Sequence, residues 1–221
     1  MSGPGAVLVL QHEGDSPAGL LDRWFAARGI QWELRTLENP IPDDPSGFAA
    51  VVSLGSSSSV LDSDAWIARE LAFVERAIAE GVPVLGLCFG GQLLAAAAGG
   101  TVKRSPQEEF GWVQPSGAPS PITDSAWFCW HEDAFTIPPG AELLASSEVC
   151  AHAFALGPHL GLQFHPEVDE PTIERWIEQR AQPARPHFDV ESVEQATPAL
   201  VDGLAERAFE LFDWWHARLP G

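Results

Sequence analysis

The sequence predicts an α/β protein with a mostly parallel open sheet and helices on both faces. Three observations carry that prediction. Short, wholly apolar runs, "AVLVL" (6–10), "FAAVVSL" (48–54) and "VPVLGL" (82–87), have the length and unbroken hydrophobicity of strands buried on both faces. Stretches with helical spacing lie between them. The two kinds of segment alternate along the chain, as they do when crossover helices join parallel strands.

The elements follow in order. After the first strand, residues 19–28 place Leu20, Leu21, Trp24 and Phe25 at helical spacing. "IQWELRTL" (30–37) alternates like a strand, and "FAAVVSL" is the third. Residues 65–80 form the clearest helix: Ile67, Leu71, Val74 and Ile78 step along one face and Gly81 stops it. Strand 82–87 leads directly into "FGGQLLAAAAGG", read as a helix closed by Gly99 and Gly100. Residues 101–156 are rich in proline and short apolar runs, which suggests antiparallel strands and loops. "HLGLQF" (159–164) is a further strand and residues 170–181 a helix. "QPARPHFDVES" (182–192) reads as a loop. Residues 199–218 read as one long helix with Val201, Leu204, Ala208, Leu211, Phe212 and Trp215 on one face.

The chain has 221 residues, which suits one domain. There are 12 basic and 31 acidic residues, giving a formal charge of −19. That balance argues against a nucleic-acid backbone or an anionic membrane surface as partner. The opening residues lack a basic segment and a long apolar run, so neither a signal peptide nor a membrane span is expected. Cys88, Cys129 and Cys150 are an odd number at no metal-ligand spacing, so no metal is expected and the natural compartment is a reducing cytoplasm. Cys129 and Cys150 sit in apolar runs and read as inert core thiols.

The stretch "GLCFGG" (86–91) places Cys88 between a strand and a helix. A nucleophile at such a junction sits on a strained turn above the strand ends. Its neighbours two residues away come close, so Gly86 and Gly90 relieve a clash that a Cβ would cause. The helix N-terminus favours a negative sulfur, and the Phe89 N–H is placed to bind an oxyanion. A buried structural cysteine is the commoner role of the residue type, but flanking glycines and the strand-to-helix context favour the nucleophile. Among seven histidines, His165 ends an apolar strand, and Pro166 biases it to extended geometry. His165 and Glu167 then project to the same side, and Glu167 can fix the imidazole tautomer.

With "GLCFGGQ" and "GLQFHPEV" (161–168) both in place, the chain resembles the class I (triad) glutamine amidotransferases. "EEFGW" (108–112) and "WHEDAF" (130–135) add to the likeness, which covers residues 6–181 and is similar in kind to a stand-alone GMP-synthase-like amidotransferase domain. The resemblance implies a flavodoxin-like sheet with a small antiparallel addition, over residues 1–181, with 182–221 as a C-terminal loop and helix packed on the same domain. It implies that Cys88 attacks the side-chain amide of glutamine, that His165 is the acid and base, and that Glu167 orients it. No cofactor is implied. Gln92 and Trp130 fall where that family handles its substrate, and His131, beside Trp130, is a candidate to line the same pocket. The "SLGSSSSV" stretch (53–60) replaces a Gly-Gly-Pro-like oxyanion loop: Gly55 is kept, while Ser56 and Ser57 replace the other two. A backbone donor does not depend on its side chain, so Gly55 and Ser56 are the expected second wall of the oxyanion hole.

Three functional classes are open on these residues. One is a glutaminase that feeds ammonia to a synthase in trans, the chain being too short to hold that synthase. Another is a γ-glutamyl hydrolase or transferase acting on a different γ-glutamyl compound. The last is a catalytically silent binding protein. The final helix either caps the core or forms a homodimer seam. A phosphate loop lacks its Gly-Lys-Ser/Thr ending, and an α/β-hydrolase reading would need His216, which lies in that amphipathic helix.

Overall fold

The computed structural model describes residues 5–39, 41–178 and 189–220. The first half alternates as expected: β1 (Val7–Gln11), α1 (Leu20–Arg28), β2 (Trp32–Thr36), β3 (Ala50–Ser53), α2 (Ala65–Glu80), β4 (Val84–Leu87) and α3 (Phe89–Ala97). The middle is antiparallel: β5 (Val102–Val113), β6 (Ser116–Gly117), a short α4 (Ser120–Thr123), β7 (Trp127–Phe135), β8 (Glu142–Ser146) and β9 (Ala151–Leu156). The chain returns through β10 (His159–Leu162) and α5 (Glu170–Trp176), then α6 (Val190–Val201) and α7 (Leu204–His216).

The main sheet has the order β2-β1-β3-β4-β10-β9-β8-β6. Strands β2 to β10 in that order pair in parallel, and β9, β8 and β6 extend the sheet antiparallel. Strands β5 and β7 form a separate antiparallel ribbon. Both faces of the parallel part are covered, which explains its unbroken apolar strands. Side chains alternate across a strand. Val7 and Val9 therefore join one core, with Trp24 and Phe25 of α1 and Phe212 and Trp215 of α7. Leu8 and Leu10 join the other, with Phe73 and Val74 of α2 and Leu93 and Leu94 of α3. Each large apolar side chain buried this way contributes about 1.5–3 kcal/mol.

Three readings of these elements need correction. The expected single helix over 199–218 is two. Gly203 adopts φ 67°, a left-handed conformation that ends α6 and starts α7. Arg207 donates from Nη1 to the Asp202 carbonyl at 2.7 Å and from Nη2 to the Leu200 carbonyl, satisfying oxygens that the break exposes. Helix α6 begins at Val190, with Asp189 as cap accepting from the Ser192 N–H, so the expected loop over 182–192 is partly helical; its first seven residues, like the boundary at 181/182, lie outside the described ones. On α2 the buried face is turned from the expected one. Ile67, Phe73, Val74 and Ala77 are buried and so is Glu70, whereas Leu71 and Ile78 are only partly so.

Helix α7 caps the core. Its apolar side chains lie against α1, where Asp213 accepts from Trp24 Nε1 at 2.8 Å and from Arg28 Nη2 at 2.6 Å. Leu204, Ala208, Leu211, Phe212 and Trp215 of that face are buried within the chain. Among the described residues, no helix is long and apolar enough to cross a membrane.

Candidate active site

The carboxyl ends of β1, β3, β4 and β10 open on one edge of the sheet, where ligand sites of open α/β sheets form. Cys88 follows β4 directly. It has φ 51° and ψ −104° and is the one non-glycine residue with positive φ among those described. Such a conformation costs on the order of 1–3 kcal/mol and persists only when its surroundings enforce it. The glycines show how. A Cβ on Gly86 would meet the Gly90 carbonyl oxygen at 2.3 Å, one on Gly90 the Ser53 oxygen at 2.1 Å, and one on Gly91 the Leu162 oxygen at 2.3 Å. Helix α3 thus sits against β3, β4 and β10 with no side chain between. The Cys88 N–H donates to the Leu162 carbonyl at 2.8 Å.

His165 is buried beside the cysteine. Its backbone N–H donates to the Phe128 carbonyl at 2.9 Å, which anchors it to β7. Nδ1 lies 2.7 Å from Glu167 Oε1, so the side-chain hydrogen bond with Cys88 falls to Nε2. Trp176 of α5 meets the ring edge-on at 5.0 Å. Burial lowers the tendency of His165 to carry charge, but the carboxylate of Glu167 and the sulfur of Cys88 outweigh it and push its pKa up to about 10. Glu167 is itself buried, and its backbone carbonyl accepts from the Leu20 N–H at 2.7 Å, fixing it at the start of α1. The sulfur of Cys88 is 3.6 Å from the Trp130 carbonyl and accepts from Gln163 Nε2 at 3.8 Å.

These groups open into a cavity of about 500 Å³. Of the expected site residues, Cys88, His165, Gly55, Ser56, Gln92, Trp130 and His131 line it. Glu167 stands behind His165. Phe89 opens α3, with its ring against His12 and Trp66. Gly55 has a reason beyond backbone freedom: a Cβ there would meet His165 Cε1 at 2.8 Å. Gln92 is less free than expected, since its Nε2 donates to the Asp133 carbonyl at 3.0 Å. Both nitrogens of His131 face the protein, Nδ1 toward the Asp133 carbonyl and Nε2 toward Glu109, each at 3.0 Å.

Sequence reasoning missed several groups that shape this edge. Glu13 holds the serine loop: its carboxylate accepts from the Ser57 N–H at 2.7 Å, from the Ser57 hydroxyl, and from the Ser56 hydroxyl at 3.3 Å. Behind the elbow, Glu70 accepts from Ser53 Oγ at 2.7 Å on one oxygen and from His12 Nε2 at 2.8 Å on the other. His12 Nδ1 reaches the Gly55 carbonyl at 3.1 Å. Burial opposes a charge on His12, but Glu70 prevails and its pKa is raised. Cys150, expected as an inert core thiol, is half-buried and lies 3.4 Å from Glu109 Oε2. Burial, reinforced by Glu109, pushes its thiol pKa up. Cys129 is wholly buried, and burial pushes its thiol up as expected. Burial also lowers His131, while hydrogen bonds from His131 and His152 outweigh burial and hold Glu109 well below the usual carboxylate range. The two tendencies oppose each other across one contact; an ionised Glu109 is the state its converging neighbours require.

The doubly covered parallel sheet and the strained cysteine at its carboxyl edge define an α/β protein of the nucleophile-elbow type. The sequence model of the glutamine amidotransferase class-I family matches residues 13–180, and the chain belongs to that family. It is similar to the glutamine-hydrolysing GMP synthase of Caldicellulosiruptor saccharolyticus, 35% identical over 144 residues that span 60% of this chain and 26% of that protein. The GMP synthase of Chromobacterium violaceum is 29% identical over 183 residues, 73% of this chain and 33% of that protein. The chain therefore spans only a quarter to a third of these relatives' length. Among solved structures, a glutamine amidotransferase from Methylobacillus flagellatus superposes with a TM-score of 0.87 at 29% identity, covering 99% of this chain and 96% of that one. One from Thermotoga maritima gives 0.85 at 23% identity, covering 97% and 99%, a likeness of fold.

Proposed function

We propose that this chain hydrolyses the side-chain amide of glutamine through a thioester on Cys88 and delivers the ammonia to a separate acceptor synthase. The observation that carries this reading is His165 held between Cys88 and Glu167 at the wall of a polar cavity. The raised pKa of His165 supports an imidazole able to hold the proton that the Cys88 sulfur gives up as it attacks. Cys88 Sγ adds to the amide carbon, and the new oxyanion is received by the Phe89 N–H and the Ser56 N–H. His165 gives its proton to the departing nitrogen, which leaves as ammonia. Water then adds to the thioester, with His165 taking its proton, and glutamate departs from the restored cysteine. Glu167 keeps Nδ1 protonated and Nε2 toward the sulfur. Gln92, Trp130 and His131 form the wall that faces the amino-acid end. The names of the GMP synthases and of the Methylobacillus protein agree with glutamine as substrate and a synthase as partner. Three free cysteines agree with a reducing cytoplasm.

The cavity extends past Ser58 and Ser59 to Asp62 and Arg104, which leaves room for a larger γ-glutamyl compound. One experiment separates the readings. A glutamine-mimicking electrophile should label Cys88 and spare Cys129, with intact mass and peptide mapping as readout, and Cys88→Ala should abolish both labelling and ammonia release. Protection by excess glutamine supports the amidotransferase. Protection by γ-glutamyl peptides alone supports the hydrolase. An unlabelled Cys88 leaves a silent binding protein.

A further inference from the structure

Beneath the Trp130 wall, four side chains from three segments converge on one point. Glu109 lies on β5 and His131 opposite it on β7, in register in the ribbon. His152 lies on β9 of the main sheet, and Cys150 immediately precedes that strand. Glu109, His131 and His152 are 7%, 4% and 0% exposed. One potential ligand atom from each of the four residues lies within 4.8 Å of the other three.

The pattern of contacts differs from an ordinary buried ion pair. Glu70, in the same molecule, accepts one donor on each carboxylate oxygen. At Glu109 a single oxygen, Oε2, faces three atoms: His152 Nε2 at 2.8 Å, His131 Nε2 at 3.0 Å and Cys150 Sγ at 3.4 Å. That crowds three atoms onto one oxygen with two lone pairs, and not all three can be its donors. The Asp133 carbonyl that faces His131 Nδ1 can only accept, so Nδ1 carries the hydrogen. That tautomer turns the lone pair of Nε2 toward Oε2, an arrangement that needs a cation or a further proton between them. A histidine donating one ring nitrogen to a backbone carbonyl while the other faces inward is also the usual posture of a metal ligand. The His152 Nδ1 atom has no hydrogen-bond partner among the described residues, so the hydrogen bonding of this buried ring is made at the cluster.

We propose that Glu109, His131, Cys150 and His152 bind a divalent zinc ion as a closed, structural site that ties the β5–β7 ribbon to the main sheet. Two imidazoles, one thiolate and one carboxylate form a donor set suited to zinc, a borderline-soft ion that takes nitrogen, sulfur and oxygen together. Bond lengths of 2.0–2.3 Å set tetrahedral edges of about 3.3–3.6 Å. The contacts at Oε2 are already close to these, and the widest pair must close by about 1 Å. The carboxylate and thiolate neutralise the ion. Binding replaces the Cys150 thiol proton with zinc and releases that proton. The half-buried Cys150 provides the way in. The wall so fixed carries the Trp130 carbonyl beside Cys88 and the Asp133 carbonyl that holds Gln92.

The test uses the intact chain, stripped with a chelator, then given zinc or cobalt(II) alone. Wild type should retain about one zinc per chain against a competing chelator and unfold at higher temperature with it. The cobalt form should show tetrahedral ligand-field absorption and a thiolate charge-transfer band. Cys150→Ser should lose that band, and Cys88→Ala should keep both the band and the metal, which separates this site from the triad. A wild type that holds no more zinc than Cys150→Ser would mean that only a proton closes the cluster. A band that follows Cys88 instead would place the metal on the triad. Either result overturns the proposal, and neither bears on whether Cys88 is a nucleophile.

Discussion

Replacing Gly55 by alanine adds one methyl group at the most sensitive contact of the site. That carbon would lie 2.8 Å from His165 Cε1, about 0.6 Å inside the 3.4 Å at which ordinary contact begins. Gly55 is not among the glycines of positive φ, so alanine fits its backbone and the clash falls on the ring. The ring has little room to retreat. Glu167 holds Nδ1 at 2.7 Å, Trp176 stands against one edge, and the Phe128 carbonyl fixes the backbone. A shift of several tenths of an ångström therefore appears as a misaligned Nε2 at Cys88. Misplacement of a reacting group by about 1 Å costs on the order of a hundredfold in rate, and we expect Gly55→Ala to lose roughly ten- to a hundredfold in kcat. Ammonia release from glutamine, measured with circular dichroism and thermal unfolding on the same samples, is the assay. Gly47→Ala, where a Cβ meets nothing within 4 Å, is the control. Full turnover in a folded Gly55→Ala protein would refute the argument that this close approach sets the ring.

Three more expectations follow from the carboxylates of Glu13 and Glu70 and from the charged histidine. Glu13→Gln weakens the charge-assisted contacts that hold the Ser57 N–H and hydroxyl, and kcat should fall by about tenfold with little change in thermal stability. Glu70→Ala leaves His12 buried without its carboxylate and should cost about 3–5 kcal/mol, read from the urea midpoint at constant slope. His165 has a folded pKa raised from 6.5 to about 10, so its contribution to stability is complete below pH 6.5 and lost as pH rises toward 10. Melting temperatures taken across that window should fall in wild type more steeply than in His165→Asn; parallel curves would contradict the assignment.

What could be read from the sequence was what is local. Helix α2 ends where Gly81 stops it, and the elbow is legible because Gly86 and Gly90, two residues either side of Cys88, approach each other. Strands of the parallel sheet show because burial on both faces leaves no polar position. The site's supports were not legible because their partners are remote in the chain. Glu13 serves a loop 43–44 residues on, His12 meets Glu70 across 58 residues, and Glu109 meets His131 and His152 across 22 and 43. No spacing rule links such positions. A weaker signal was present: Glu70 on an apolar helix face, and His152 within the apolar run "CAHAFAL", are polar groups at positions that packing alone would fill otherwise. The helix break had a cue as well, the Asp202-Gly203 pair, outweighed by a long apolar stripe whose period continues across it.

The elbow has a consequence for redesign. Its shape is made by hydrogens: the α-hydrogens of Gly86, Gly90 and Gly91 occupy the points where α3 meets three strands. The identity of the side chain at position 88 contributes nothing to that contact. Geometry and reactivity are thus encoded by different residues. A library that varies position 88 alone explores new nucleophiles on an unchanged frame, whereas any library that touches the three glycines dismantles the frame before chemistry can be tested.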